Sequence, residues 1–336
     1  MSDKILRWGV LSTANIGRVA VCPAIQASAN GELLAVGSRS AGKAQAFAEA
    51  LGIPRAYGSY EALLADPELG AVYIALPNSL HKEWAIRAAE AGKHILCEKP
   101  LALNAGECLE MNAAARANGV QLMEAFMYRF HPRTAKVLDV IRTGALGPLE
   151  ALEATFTFRL RNPENIRYNR ELGGGALMDV GCYCVNWFRT AAGRQPVEVC
   201  AWANWAETGV DRNLIGMLRF EGGLLAHFTC SLSAERRETC LAAGQDAYLE
   251  IPAAFLPGAG PVEYWETRDR QARQVFPVDG ADEYRLMVEH FADCVQTGRP
   301  PRYSPLEAAE NMQVIAALLE SARSDGRPVR VAPITN

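Results

Sequence analysis

An excess of charge of either sign is missing from this sequence. Thirty-four Lys and Arg stand against thirty-eight Asp and Glu in 336 residues, a formal net charge of −4, with no Lys/Arg run. No nucleic acid and no anionic membrane surface is therefore expected as a partner. Long apolar runs are missing too. Nothing reaches membrane length, and in the opening stretch MSDKILRWGVLSTANIG the apolar strand is interrupted by Arg7, where a signal peptide needs an unbroken core. The nine cysteines form no CxxC pair and no Cys/His cluster at zinc spacing; Cys182 and Cys184 are one residue apart. They read as reduced, mostly buried thiols of a cytoplasmic protein, and no metal is expected.

What is present is a globular chain. Hydrophobic residues make up 49% and charged residues 21%, which excludes a disordered chain, and 336 residues are too many for one comfortable core. Up to about residue 125, short apolar strands alternate with helical patterns, the signature of a parallel sheet. The strands are expected at Leu6–Leu11, Leu33–Ser38, Ala71–Ala75, His94–Cys97 and Gln121–Ala125. Helices fit AGKAQAFAEALG, SLHKEWAIRAAEAGK (stopped at Gly92) and NAGECLEMNAAARANG, the last capped by Asn104 and ended by Gly119.

After Gly144, Gly147 and Pro148 the rhythm changes to the alternation of antiparallel strands, beginning at EALEATFTFRL. One strong helix, GGGALMDVGCYCVNWFRTAAG, interrupts it, and helices at Asp282–Gln296 and Pro305–Ser324 follow the strands. The fold class is thus α/β: an N-terminal doubly wound parallel sheet of Rossmann type, plus a C-terminal α+β domain with a large, mostly antiparallel open sheet. The expected domains are 1–125 and 126–336, with the last helix, 305–324, packing back on the first.

Four pieces carry chemistry. After the first strand, Ser12-Thr13-Ala14-Asn15-Ile16-Gly17 stands where G-x-G-x-x-G would stand in a dinucleotide site, with only the third glycine kept. Small residues still let the backbone approach a pyrophosphate over a helix N-terminus, but the same six residues would also serve as an ordinary tight turn. The second strand ends Ser38-Arg39-Ser40, with Lys43 one turn on, where an NAD site usually carries Asp or Glu. Hydroxyls and cations would hold a 2′-phosphate that a carboxylate repels, so NADP(H) is expected ahead of NAD(H).

The third strand leads into Leu76-Pro77-Asn78-Ser79-Leu80-His81, a tip able to line a nicotinamide-side ribose; His81 also fits a plain helix first turn. The fourth strand runs into Glu98-Lys99-Pro100, placing an ammonium at the sheet edge where ligands sit in open α/β folds. Further on, Asp179, Tyr183 and Trp187 share one helix face at i, i+4 spacing, after three glycines that permit close approach. A tyrosine titrates near ~10, too high for a base at neutral pH unless a nearby positive charge lowers it.

RWGVLSTANIG, VGSRS, LPNSLHKEWAIRAAEAGKHILCEKPLAL, EAFMYRFHP and GGGALMDVGCYCVNWFR, in that order, resemble the glucose–fructose oxidoreductase/inositol dehydrogenase (Gfo/Idh/MocA) family. Within it they resemble the branch of dimeric dihydrodiol dehydrogenase, NADP-dependent D-xylose dehydrogenase and glucose–fructose oxidoreductase. The resemblance implies that Glu98-Lys99-Pro100 is the family's E-K-P motif, with Glu98 and Lys99 beside cofactor and substrate. Pro100 would hold a turn that aims Lys99, through a cis peptide if the turn demands one. It also implies Tyr183 as proton carrier, Lys99 as the group that lowers its pKa, and Asp179 as the group that positions substrate.

Ile166-Arg167 falls at the family's Trp-Arg pair, so Arg167 alone is carried over to the cofactor, and Tyr284 falls at a position that reaches the site in related reductases. The reaction implied is NADP-dependent hydride transfer with a cyclic sugar or polyol, foremost the anomeric hydroxyl of an aldose such as xylose or glucose. A trans-dihydrodiol, a keto-sugar reduced in the opposite direction, and a non-catalytic NADP-sensing regulator are the alternatives. An apolar sheet face in the second domain would pair with a second copy, as a homodimer or a dimer of dimers.

Overall fold

The computed structural model describes residues 5–334. Six strands, Leu6–Leu11 (β1), Gly31–Gly37 (β2), Arg55–Tyr57 (β3), Ala71–Ile74 (β4), His94–Cys97 (β5) and Leu122–Glu124 (β6), pair in parallel in the order β3-β2-β1-β4-β5-β6. This is the doubly wound order of dinucleotide-binding sheets. All four residues of β4 are buried, as the middle of a sheet covered on both faces requires.

The helices of this sheet are Cys22–Ala27 (α1), Ala41–Leu51 (α2), Tyr60–Leu64 (α3), His81–Glu90 (α4) and Ala105–Ala117 (α5). Short polar caps start them. The Asn104 side chain accepts from the Glu107 N–H at 3.0 Å to open α5, and the Ser40 hydroxyl accepts from the Lys43 N–H at 3.4 Å to open α2. The predicted strands agree to within two residues at each end, whereas β3 and α3 were not anticipated: three residues of strand and five of helix are too short to show a period.

The second region begins with Pro132–Arg142 (α6) and Leu149–Thr157 (β7), followed by Cys182–Ala192 (α7). Its further strands are Pro196–Trp205 (β8), Asp211–Phe220 (β9), Leu225–Ser231 (β10), Arg237–Gly244 (β11), Ala247–Pro252 (β12), Val262–Arg268 (β13) and Gln274–Val278 (β14). Then come Glu283–Thr297 (α8), Pro305–Arg323 (α9) and Val329–Arg330 (β15). Nine strands form one sheet in the order β14-β13-β12-β11-β7-β10-β9-β8-β15, antiparallel except for the β7–β10 pair.

The alternation along β9 shows why the sheet forms. Leu214, Gly216, Leu218 and Phe220 are buried, while Ile215, Met217 and Arg219 face outward. On the buried face, a Cβ at Gly181 would lie 2.9 Å from the Cys230 sulfur, so the chain entering α7 sits close against β10 because that residue is glycine. None of the nine cysteines is in a disulfide.

The chain divides into two compact units: residues up to Met127 with Asp282–Ala309, and Tyr128–Ala281 with the chain from Glu310. The first unit therefore includes a segment expected in the second domain. The reason lies in α8: its Phe291 packs on Trp8 at 5.5 Å, and Glu289 accepts from Asn30 through its carbonyl and from the Ala29 N–H through its carboxylate. The first five residues of α9 count with this unit and the remainder with the second. No helix of the described residues is long and apolar enough to cross a membrane.

Candidate active site

In the first unit, the loops after β1, β2, β4 and β5 all leave the carboxyl edge of the parallel sheet. Ser12 follows β1 with φ +122°, a conformation glycine adopts freely and other residues rarely do. A serine thus stands in a backbone conformation that favours glycine, at the position where the fingerprint has its first glycine. Its hydroxyl donates to the Ala75 carbonyl at 2.7 Å and accepts from the Ala14 N–H at 3.1 Å, and its N–H donates to the Gly37 carbonyl at 3.1 Å. These bonds offset a backbone cost of roughly 1–3 kcal/mol and tie three strand tips together.

Thr13, Ala14 and Ile16 are half-buried and Asn15 is exposed, at the entry to a π-helical turn, Gly17–Val21. Such turns recur at functional sites. A Cβ at Gly17 would meet nothing closer than 3.9 Å, so packing alone does not demand glycine there.

At the tip of β2, Ser38 is buried with its hydroxyl accepting from the Ser40 N–H at 3.4 Å, while Arg39 and Lys43 are exposed. Arg39 hydrogen-bonds the phenol of Tyr60, whose pKa burial raises and Arg39 partly lowers. From Gly37 to Lys43 the chain carries two cations and two hydroxyls and no acidic side chain.

The loop after β4 corrects one expectation. Leu76 is buried and Pro77 and Asn78 are half-buried, but the His81 ring is fully buried and cannot line a ribose. Its Nε2 lies 2.8 Å from the Leu76 carbonyl and its Nδ1 3.0 Å from the Pro100 carbonyl. Burial holds its pKa below the usual histidine value, against the raising effect of those carbonyls. A neutral ring carries one N–H, so His81 donates to one of these carbonyls and packs against the other, between the loops after β4 and β5.

Glu98 and Lys99 follow β5, both half-buried, and the Lys99–Pro100 peptide is cis. The Glu98 carboxylate accepts from the Tyr73 hydroxyl at 2.6 Å and from the Lys99 N–H at 3.3 Å. Tyr73 is wholly buried in β4; burial first, then Glu98, then Tyr284 push its phenol well above the usual value and keep it a donor. Tyr284, half-buried in the first turn of α8, therefore lies near Tyr73. The Asp282 carboxylate fixes that turn by accepting from the Tyr284 and Arg285 N–H groups. Tyr73 was missed from the sequence, although a hydroxyl inside the apolar run AVYIA was a visible signal.

The second unit holds the other group of residues. The Arg167 Nε donates to the Asp179 carboxylate at 2.5 Å, and its guanidinium lies 5.9 Å from the Phe158 ring centre. The Arg167 carbonyl accepts from the Gly175 N–H, and a Cβ at Gly174 would lie 2.4 Å from the same oxygen. The glycines here permit the fold-back that brings Arg167 to Asp179. Arg167, expected at the cofactor, donates to Asp179 and keeps its side chain partly exposed.

Asp179 sits in a second π-helical turn, Leu177–Gly181, which opens into α7. The expected stripe is regular only from Tyr183 to Trp187, because the wider turn changes the angular offset of Asp179. Tyr183 is 5% exposed among aromatic rings: Phe156 at 5.3 Å, Phe255 at 5.4 Å and Tyr128 at 5.9 Å.

The chain is similar to known proteins in both sequence and fold. Residues 6–126 match the profile of the GFO_IDH_MocA oxidoreductases with NAD-binding Rossmann fold, and residues 134–250 match that of the GFO/IDH/MocA C-terminal domain. The chain is 40% identical to a D-xylose 1-dehydrogenase (NADP(+)) of Haloferax volcanii over 95% of this chain and 98% of that one. It is 34% identical to the trans-1,2-dihydrobenzene-1,2-diol dehydrogenase of Mus musculus over 95% and 96%. Among solved structures, KijD10, a 3-ketoreductase from Actinomadura kijaniata in complex with NADP and TDP-benzene, superposes with a TM-score of 0.90 at 29% identity, covering 95% of this chain and 98% of that one.

Proposed function

The chain belongs to the GFO/IDH/MocA oxidoreductase family, and we propose that it is an NADP-dependent dehydrogenase of a cyclic sugar or polyol, oxidising an aldose of the D-xylose or glucose type at its anomeric hydroxyl. The observation that carries the cofactor choice is the tip of β2, where Ser38, Arg39, Ser40 and Lys43 offer hydroxyls and positive charge with no carboxylate. That donor set fits a 2′-phosphate, and the Ser12–Ile16 turn fits a pyrophosphate over a helix N-terminus. The likeness to an NADP-dependent xylose dehydrogenase over nearly the whole chain supports the same choice.

Bound NADP(H) would supply the hydride acceptor or donor for the substrate carbon. The protein's part is orientation and one proton. Tyr183 takes the proton of the reacting hydroxyl, and the Lys99 ammonium favours the phenolate that does so. Asp179, held by Arg167, accepts from a second sugar hydroxyl. Leu76, Pro77, Asn78, Glu98 and Tyr284 shape the nicotinamide end; Tyr73 fixes Glu98 and so the backbone that presents Lys99. Reduction of a keto-sugar uses the same residues in reverse, and the likeness to a 3-ketoreductase favours keeping that reading second.

The protein would act in the cytoplasm, where nine free thiols stay reduced, and as a homodimer or dimer of dimers. Trp202, Ile215, Met217 and Leu225 are 49%, 54%, 44% and 55% exposed on the outer face of the large sheet. The Arg219–Glu198 and His227–Glu153 pairs beside them suit a self-complementary partner.

The test is absorbance at the reduced-nicotinamide band, with NADP⁺ or NAD⁺ and a panel of aldoses, inositols and trans-dihydrodiols. Reduction of NADP⁺ by an aldose is expected. Silence there and with keto-sugars plus NADPH would remove the enzymatic reading in favour of an NADP-sensing regulator, and a one-chain mass on gel filtration would remove the dimer.

A further inference from the structure

Asp211, the first residue of β9, is 2% exposed and belongs to no group considered so far. Its Oδ2 accepts from the Leu177 N–H at 2.6 Å, and the Ala176 N–H and its own N–H also point to the carboxylate. Leu177 opens the π-helical turn that carries Asp179 and continues as α7 with Tyr183. The approach is close: Gly175 has φ +121°, and a Cβ there would lie 2.2 Å from the Asp211 Oδ1. The third glycine of GGG therefore leaves space for a carboxylate from another strand. Two constraints meet at this helix start, Asp211 on the Leu177 N–H and Arg167 on the Asp179 side chain.

We propose that Asp211 is a positioning residue for the reaction, its carboxylate fixing the start of the helix that presents Asp179 and Tyr183. The assignment rests on the proposed roles of those two residues. A negative charge at a helix start is favoured by the backbone dipoles, and the bond to Leu177 is strongest while Asp211 is ionised. Burial opposes that charge and raises the Asp211 pKa to about 7, against the lowering effects of the backbone N–H groups and of Arg323 from α9. The Cys230 thiol on β10, which burial keeps protonated, also couples to it. The grip on Leu177 thus tightens as pH rises through about 7.

Asp211→Asn keeps the size and one acceptor but loses the charge. In the full-length protein, hydrogen exchange at the Leu177 amide, corrected for the intrinsic pH dependence, is expected to slow from pH 6 to pH 8 in the parent and to stay level in the variant. Turnover of the variant at pH 8 should fall about 10-fold, with the KM for NADP⁺ unchanged, and should approach the parent's at pH 6. Identical exchange in the two proteins overturns the grip on the helix, whatever the activity. Altered exchange with parallel pH profiles of kcat overturns its role in the reaction. If no substrate turns over at all, the dehydrogenase reading falls while the exchange experiment still judges the helix contact.

Discussion

The Tyr73 hydroxyl donates a 2.6 Å hydrogen bond to the Glu98 carboxylate, joining the interior of β4 to the residue that precedes Lys99. A phenol buried this completely has no water to fall back on. Tyr73→Phe should therefore cost about 1–2 kcal/mol of stability, read from urea unfolding, and should reduce turnover by freeing the loop that carries Lys99. Unchanged unfolding together with unchanged turnover would show that the bond positions nothing.

Lys99→Ala and Tyr183→Phe address the proton path directly. Each is expected to lower kcat by roughly 100-fold or more, the range of a lost general acid–base group, while NADPH affinity, followed by fluorescence, stays near the parental value. Parental turnover in either variant would withdraw that residue's role.

The tip of β2 makes a prediction about coenzyme choice. A charge-assisted hydrogen bond contributes roughly 1.5–3 kcal/mol, so Arg39→Ala should weaken NADPH about 10- to 100-fold and leave NADH nearly unaffected. Equal losses for the two coenzymes would argue that Arg39 serves Tyr60 alone.

His131 supplies a stability signature at mildly acid pH. Its buried ring caps α6, Nδ1 accepting from the Arg133 N–H at 3.0 Å, and burial, aided by Arg133, lowers its pKa to about 4. A histidine depressed in the folded state is protonated first in the unfolded chain. Stability is therefore lost as pH falls from the ordinary histidine value toward about 4. His131→Asn keeps a cap acceptor without the titration, and its stability loss between pH 7 and pH 5 should be smaller than the parent's by about 2 kcal/mol. Matching losses in both proteins would assign the acid sensitivity elsewhere.

How much of this was legible follows from what a single chain displays. Lys99 after β5 and Ser38-Arg39 after β2 were readable because strand, tip and helix follow one another within a few residues, and the sheet collects such tips on one edge. Ser12 was readable in place but not in conformation: sequence shows a serine where glycine is usual, and only the backbone shows its positive φ. His81 was misjudged because its partners, the Leu76 and Pro100 carbonyls, leave no mark in side-chain identity. Asp211 stood outside every motif, since the glycine that makes room for it lies on another element. The assignment of α8 to the first unit depends on Trp8 and Asn30, more than two hundred residues away in the chain.

The central strand of the large sheet also constrains how the chain is made. β7 ends at Thr157, yet its neighbours on either side are β10 and β11, which start at Leu225 and Arg237. While a ribosome is still delivering those residues, β7 has two unsatisfied edges and an apolar face. The parallel sheet before it waits longer, for α8. Contacts of such long sequence separation fold slowly and leave edges open to wrong pairing. β7 thus keeps an open edge from the time Thr157 emerges until β11 is complete at Gly244, and a holding chaperone that acts in that window should raise the yield.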